Sequence, residues 1–264
     1  MISIVMPAYN RASTLPRAID SVLRQTHADW ELVIVDDGST DETQALLAAV
    51  EDPRVRLLQH EVNRGVTAAL NTGLDQVRGE WFTFLGSDDE MVPDGLEVML
   101  QCARRTGADA ITCDCVDSVT GRTTGIGLYR EGRVSGKEAS RCRGEYWGMT
   151  ATRLLGDLRF DERLPGYEDT VWLRINARAR RYYVDRALRI YHTEGSDRIT
   201  GAGRSKRLRE KVRIYLVLGE HREYLRLLRR NDPRGYLETL VKVMAARLLT
   251  LIPLASQAPS GSGR

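Results

Sequence analysis

Apolar and polar residues follow two alternating periods over the first ninety positions of the chain. Short runs rich in β-branched and aromatic residues predict four strands, at 3–6, 31–35, 55–59 and 81–85. Between these runs, apolar residues recur at helical spacing over 15–25, 42–50 and 66–77. Because strands that alternate with helices form parallel sheets, this pattern predicts an α/β fold with a mostly parallel sheet flanked by helices.

Polar motifs directly follow three of the predicted strands. They are Tyr9-Asn10-Arg11 after the first strand, Asp36-Asp37-Gly38-Ser39 after the second and Gly86-Ser87-Asp88-Asp89 after the fourth. Open parallel sheets bind ligands at the carboxyl ends of their strands, so the three motifs are predicted to form one ligand site. Asp36 or Asp37 can accept hydrogen bonds from a base or a ribose, and the Tyr9 ring can stack on a base.

Asp88 and Asp89 place two carboxylates side by side, which costs stability unless a cation or basic groups neutralise them. Hard oxygen ligands suit Mg²⁺ or Mn²⁺, and Mg²⁺ usually binds through one or two carboxylates plus substrate phosphates. A pair of aspartates is also typical of a solvated turn or a helix cap. The pair alone does not separate these two interpretations.

From residue 205 onward the pattern is helical only. Residues 204–264 carry 14 Lys and Arg against 5 Asp and Glu, and 254–264 has the composition of a flexible tail. The last helical segment has an apolar stripe, formed by Val241, Met244, Ala245, Leu248, Leu249 and Ile252. Two interpretations stay open: the segment lies on an anionic membrane surface, or it packs on its own domain or on a second subunit as a homodimer. Nucleic acid is not an expected partner, since clustered aromatics and recognition motifs are absent.

The whole chain has the composition of a globular protein, with 264 residues, 42% of them hydrophobic and 28% charged. Met1 to Met6 lacks the features of a secretory signal, which predicts a cytoplasmic protein, with the membrane interpretation placing it peripherally on the inner face of the cell membrane. The four cysteines lack the spacing of a metal cluster and are predicted to be reduced thiols.

Five segments, in this order and spacing, resemble the family 2 glycosyltransferases of the GT-A fold: IVMPAYN, VLRQTHADWELVIVDDGSTDET, NRGVTAALNTGL, GEWFTFLGSDDEMVPDGLE and FDERLPGYEDTVWLRI. The resemblance covers roughly residues 1–200. It implies a GT-A domain over 1–203, with a nucleotide-binding half at 1–90 and an acceptor half at 91–203. A basic helical extension at 204–253 and the tail at 254–264 follow.

The resemblance implies a metal-dependent, inverting transfer of a sugar from a nucleotide-diphosphate donor, with UDP preferred and Mn²⁺ or Mg²⁺ as cofactor. The acceptor would be a hydroxyl of a glycan, a lipid-linked glycan or a small molecule. Nucleotide contacts are implied for Pro7, Ala8, Tyr9, Asn10, Asp36, Asp37, Asn63, Arg64, Gly65, Asn71 and Ser87.

Metal, base and acceptor positions follow from the same resemblance. Asp88 takes the family's metal position with Asp89 beside it, and His192 is a third ligand, a phosphate contact or a structural residue. Asp169 matches the catalytic base, with Glu168 beside it, although both also suit a helix N-terminus. Acceptor contacts are expected from Tyr146, Trp147 and Met149, and the two aromatic residues equally suit a core.

The sequence departs from the family pattern at two positions. Gly86 stands where the first acid of the Asp-x-Asp motif is expected, and Leu70 stands where many relatives have Arg.

Two other functions are kept as alternatives. A nucleotidyltransferase would share the fold but needs a Gly-rich basic signature after the first strand, and a non-catalytic sugar-nucleotide-binding or scaffold protein would explain Gly86.

Overall fold

The computed structural model describes residues 1–139, 141–194 and 208–251. The chain forms two units, Met1–Ala202 and Gly203–Arg264, and each is described by itself. Arg198, Arg204 and Lys206 belong to a basic, glycine-containing segment that the sequence offers as a diphosphate contact, and they lie outside the described residues. Ile252 of the predicted apolar stripe lies outside them as well.

The first half of the N-terminal unit is the predicted alternation of strands and helices. Its elements are β1 (Ile2–Ala8), α1 (Leu15–Leu23), β2 (Trp30–Asp36), α2 (Thr43–Ala48), β3 (Val55–Gln59), α3 (Val66–Leu74) and β4 (Trp81–Phe84). The four strands are parallel, in the order β3-β2-β1-β4. Strands β1 and β2 are buried nearly throughout because helices cover the sheet on both faces, which explains their unbroken apolar runs.

The second half extends the same sheet in mixed directions. Its elements are β5 (Glu90–Met91), α4 (Gly95–Thr106), β6 (Ala110–Asp117), β7 (Gly132–Val134), α5 (Gly136–Ala139), β8 (Tyr146–Ala151), a 3₁₀ turn (Thr152–Leu154), α6 (Asp169–Asn176) and β9 (Arg181–Tyr191). Strand β8 is antiparallel to both β4 and β6, whereas β6 and β9 are parallel. The predicted α/β class with a central sheet is confirmed, and the mostly parallel arrangement holds for the first half only.

Two apolar clusters fix the helices against this sheet. The larger contains side chains of β1, β2, α1, α4 and β6. The smaller combines aliphatic and aromatic side chains beside α6, where the Trp172 ring contacts Phe82, Phe84 and Phe160. The cysteines are free thiols, as predicted, and three of the four are buried.

The C-terminal unit consists of α7 (Leu208–Leu218), α8 (Arg222–Asn231) and α9 (Pro233–Leu251) in its described part. On α9, Val243 and Ala246 are buried, while Val241, Met244 and Leu248 of the predicted stripe are more than half exposed. The stripe is thus a solvent-facing side of α9 within the described residues. Among the described helices, none combines the length and the apolar character that a membrane span requires.

Candidate active site

A cavity of about 780 Å³ lies at the carboxyl ends of β1 and β4 and is called the first cavity. It brings together side chains from all three strand-end motifs. The predicted site residues that line it are Pro7, Ala8, Tyr9, Asn10, Asp37, Asn63, Ser87, Asp88, Asp89 and His192. The arrangement follows from the parallel sheet, whose strands all end at this edge.

The turns after β1 and β2 are tied to each other by short hydrogen bonds. The Asn10 backbone N–H donates to Ser39 Oγ at 2.9 Å, and the Thr40 N–H donates to Asn10 Oδ1 at 2.8 Å. Asn10 has a φ of 52°, a left-handed conformation that asparagine tolerates better than most residues. Gly38 has a φ of 72°, and a Cβ there would lie 2.6 Å from the carbonyl carbon of Val62. The second turn therefore requires glycine.

Asp37 holds the loop that precedes α3. Its carboxylate accepts backbone hydrogen bonds from Arg64 at 2.9 Å and Gly65 at 2.7 Å, and it lies 2.6 Å from His60 Nδ1. Arg64 and Gly65 thus act through their backbone and do not line the cavity, and the Arg64 guanidinium pairs with Glu162.

Asp36 and Asn71 were predicted to contact the nucleotide, but the structure places both side chains away from the first cavity. The Asp36 carboxylate is buried beneath the turn and accepts a hydrogen bond from the Ser39 N–H. The Asn71 side chain bridges to the backbone of Phe160, donating to its carbonyl and accepting from its N–H. Neither side chain lines the first cavity, where Leu70 lies instead.

Asp88 and Asp89 have different surroundings although they are adjacent. Asp88 is partly exposed and lines the first cavity, and Arg17 fixes its backbone by donating to its carbonyl at 2.7 Å. Asp89 is buried, and this burial raises the pKa of its carboxyl to about 6, against the opposing charge of Arg189. A Cβ on Gly86 would lie 2.7 Å from Asp88 Oδ1, so the glycine leaves the space that this carboxylate occupies.

The predicted metal ligands do not form a closed protein site. His192 Nε2 lies 2.8 Å from Glu90 Oε1, and its Nδ1 lies 3.2 Å from Glu194 Oε2. Among the described residues, no three His, Cys, Asp or Glu side chains are arranged as a metal-ligand set. Of the three predicted ligands, Asp88 is the one whose carboxylate has no hydrogen bond or ion pair within the described residues, which fits a cation that the protein shares with substrate phosphates.

A second cavity, of about 390 Å³, lies on the acceptor half beside β8 and α6. Polar residues that line it are Thr112, Tyr146, Asp169, Asn176, Arg181 and Arg189. Asp169 is the first residue of α6 and is exposed as a whole, yet the surrounding atoms desolvate its carboxyl and raise its pKa. The charge of Arg143 lowers that pKa in part. A raised pKa makes a carboxylate a stronger base, which suits it to accept a proton from a hydroxyl during a reaction.

Glu168 and Tyr146 were also predicted to belong to this site, and Tyr146 is the one of the two that lines the cavity. Glu168 precedes α6 and accepts a hydrogen bond from the Gly166 N–H, and it does not line the cavity. Tyr146 lines the cavity, and its hydroxyl accepts a hydrogen bond from the Leu128 N–H at 3.1 Å.

Trp147 and Met149 were predicted to contact the acceptor, but the structure places most of each side chain in the core. Both are buried in the larger apolar cluster because they point to the opposite face of β8 from Tyr146. The Trp147 indole donates to the Phe84 carbonyl at 2.7 Å, so it reaches only the wall of the second cavity. Met149 does not line either cavity.

Arg189 lines both cavities and was not predicted from the sequence. It is 9% exposed, its Nε lies 3.5 Å from Asp89 Oδ2, and its Nη2 donates to Glu145 at 3.3 Å. An arginine between Leu188 and Ile190 in a strand was the available signal, because a cation at a buried strand position needs a partner or a ligand.

Comparison with known proteins gives one matching family model, described as glycosyl transferase family 2, over residues 3–156. A GalNAc(5)-diNAcBac-PP-undecaprenol beta-1,3-glucosyltransferase from Campylobacter jejuni is 30% identical over 224 residues, covering 81% of this chain and 71% of that one. The Escherichia coli UDP-Glc:alpha-D-GlcNAc-diphosphoundecaprenol beta-1,3-glucosyltransferase WfgD is 40% identical over 100 residues, which are 38% of this chain and 40% of that one.

Solved structures share the fold at lower identity. S. aureus TarS 1–349 in complex with UDP-GlcNAc has a TM-score of 0.74 at 20% identity, covering 94% of this chain and 72% of that one. The mannosyltransferase PcManGT from Pyrobaculum calidifontis, in complex with GDP-Man and Mn²⁺, has a TM-score of 0.60 at 18% identity, covering 98% and 76%.

Proposed function

Since this chain belongs to glycosyl transferase family 2 and is therefore a glycosyltransferase, we propose that it transfers a sugar from a UDP-sugar to a hydroxyl of a lipid-linked glycan, with inversion at the anomeric carbon. The C. jejuni and E. coli relatives, both named as transferases acting on undecaprenol-diphosphate glycans, support this acceptor class. The UDP-GlcNAc complex of TarS supports the donor class.

The first cavity is the proposed donor site. Tyr9 is 41% exposed on the cavity wall, which leaves its ring free to stack on a base. Asn63 and Ser87 add polar atoms beside it. Asp37 contributes by fixing the loop backbone, since its oxygens already accept hydrogen bonds from that loop.

Asp88, together with the donor diphosphate, is the proposed holder of Mn²⁺ or Mg²⁺. When bound, such a cation stabilises negative charge on the leaving diphosphate. The protein contributes a buried cation of its own to this cavity, Arg189, whose Nε lies 3.5 Å from Asp89 Oδ2. Arg189 lies between the two cavities, where its charge can stabilise the same leaving group.

Asp169 is the proposed general base. Its carboxylate takes the proton of the acceptor hydroxyl while that oxygen bonds to the anomeric carbon and the bond from this carbon to UDP breaks. Attack from the side opposite the leaving group inverts the configuration. The observation that carries the proposal is that one guanidinium, Arg189, lines both the Asp88 cavity and the Asp169 cavity.

The test is transfer by the whole protein from a panel of UDP-sugars to undecaprenyl-diphosphate-linked GlcNAc and GalNAc, with Mn²⁺ or with EDTA. We expect one donor to be transferred, with activity lost in EDTA, and a β-linked product from an α-linked donor. Binding of a UDP-sugar without transfer or hydrolysis would favour the non-catalytic alternative. Transfer of a nucleotidyl group would favour the nucleotidyltransferase alternative.

We further propose that the C-terminal unit contacts an anionic membrane surface through α9. Its exposed side chains Val241, Met244 and Leu248 lie on one side of the helix, in a region rich in Lys and Arg. Co-sedimentation with vesicles containing an anionic lipid should be lost in the Met244→Glu/Leu248→Glu variant and at high salt. Loss of a homodimer in that variant, without vesicle binding by the wild type, would instead assign this face to a second subunit.

A further inference from the structure

Arg181 is a cation of the second cavity that forms no ion pair with the described residues. It is the first residue of β9 and lies partly buried on the cavity wall. Its guanidinium donates to two neutral oxygens, Thr112 Oγ1 and Asn176 Oδ1. Its Nε is buried without a hydrogen-bond partner within the described part of the chain.

Arg189 lines the same cavity as Arg181 but differs from it in having carboxylate partners. Arg189 has two carboxylates at ion-pair distance, those of Asp89 and Glu145. The carboxylate of Asp169 lines the cavity as well, but the charge that acts on it is that of Arg143. Over residues 1–139 and 141–194, Arg181 forms no ion pair.

An uncompensated guanidinium away from bulk water costs free energy, and proteins retain such groups where a ligand supplies the counter-charge. Burial lowers the pKa of Arg181 to about 10, which leaves it fully charged near neutral pH. Its fork of N–H donors matches the oxygens of a phosphate. The cavity volume of about 390 Å³ lies within the range of small-molecule sites.

We propose that Arg181 binds the phosphate group that links the acceptor sugar to its lipid, so that the second cavity recognises a glycosyl diphosphate rather than a neutral glycan. This inference rests on the proposed function, because it takes the second cavity as the acceptor site. It adds a specificity-determining residue that lies 12 positions after Asp169 in the sequence and on a different element.

The experiment measures equilibrium binding by calorimetry with the first cavity saturated by UDP. The ligands are short-chain alkyl diphosphates of GlcNAc and GalNAc, the matching alkyl glycosides, and inorganic pyrophosphate. The proteins are the full-length wild type, Arg181→Gln and Arg181→Lys. Arg133→Gln is the matched control, because Arg133 is exposed on β7 and does not line the second cavity.

We expect Arg181→Gln to weaken binding of at least one glycosyl diphosphate by about tenfold to a hundredfold, with a smaller loss in Arg181→Lys and none in Arg133→Gln. The alkyl glycosides should bind the wild type and Arg181→Gln equally. Equal losses for diphosphates and glycosides would mean that Arg181 only supports the cavity wall, and would overturn the proposal, as would wild-type protein that binds no glycosyl diphosphate.

If inorganic pyrophosphate binds with the same affinity as the glycosyl diphosphates, the cavity binds free anions without recognising the sugar. That result would also overturn the acceptor assignment. Thermal melting of each variant separates a folding defect from a binding defect, and Arg181→Lys keeps the test valid if Arg181→Gln does not fold. Because binding is measured without turnover, a wild type that binds glycosyl diphosphates but transfers no sugar would contradict the proposed function and leave this inference standing.

Discussion

The first and second cavities of the N-terminal unit hold their polar groups in place by different means. In the first, hydrogen bonds to backbone amides hold the tight turns next to the strand ends, as in the bonds that the Arg64 and Gly65 N–H groups donate to Asp37. In the second, side chains from separate elements meet, with Asp169 on α6, Tyr146 on β8 and Arg181 on β9.

This difference determines how each cavity responds to change. A site held by backbone hydrogen bonds keeps its shape when one exposed side chain is altered, but it depends on the few residues that organise the turn. A site assembled from long side chains loses one interaction at a time. Arg189 lines both cavities, so a single buried charge is shared between them.

The largest expected effect is that of Asp169→Asn in the second cavity. Removal of the general base should lower kcat by about a thousandfold, within the range for general acid–base catalysis. Steady-state transfer with a saturating UDP-sugar measures this loss. The matched control is Asp157→Asn, because Asp157 is exposed and lines neither cavity.

The pH profile of the wild type gives a second test of Asp169. Because the surrounding atoms desolvate the Asp169 carboxyl and raise its pKa, it becomes protonated and inactive at a higher pH than an ordinary aspartate. The acid limb of kcat/KM should therefore lie at a higher pH than that of an unperturbed aspartate, and it should be absent from the residual activity of Asp169→Asn. A limb that persists in the variant would assign it to another group.

The next effect is expected from Asp88→Ala in the first cavity. Loss of the proposed metal-binding carboxylate should remove the Mn²⁺-dependent tightening of UDP binding, by about tenfold to a hundredfold. Calorimetry with UDP in the presence of Mn²⁺ or EDTA measures it. UDP that binds the variant with the wild-type metal dependence would show that the cation is held elsewhere.

The sequence predicted the lining of the first cavity better than that of the second, because strand-end turns form the first and side chains of separate elements form the second. Tyr9, Asn10 and Asp88 line the first cavity directly after strand ends, so their positions follow from the local sequence pattern and the parallel sheet. The Asn71 side chain is held away from the cavity by its hydrogen bond to Phe160, which lies 89 residues away in the sequence. Arg181 donates to Thr112, which lies 69 residues away. Contacts of such separation are set by the packing of the whole sheet, which no local spacing reveals.

A smaller effect is expected from Asp37→Asn, which tests the importance of the backbone-held turn. An amide can accept only through one oxygen, so one of the two N–H donors, of Arg64 or Gly65, would face an NH₂ group. UDP affinity should fall by about tenfold, with a loss of about 1–3 kcal/mol in the free energy of unfolding. Urea unfolding and calorimetry measure the two effects. Asp20→Asn, on the exposed side of α1, is the matched control, and an equal effect there would contradict the assigned role.

The smallest effect is expected from Tyr146→Phe in the second cavity. The change removes only the hydroxyl that accepts from the Leu128 N–H, while the ring keeps its edge contact with Tyr183, at a centroid distance of 6.4 Å. One neutral hydrogen bond supports a loss of about threefold in acceptor kcat/KM, and we expect it in KM because the cavity wall loosens without touching Asp169. A much larger fall in kcat would place the Tyr146 hydroxyl on the reacting acceptor oxygen. In that case the second cavity would share its catalytic chemistry between α6 and β8, and the simple division into a base and a supporting wall would have to be abandoned.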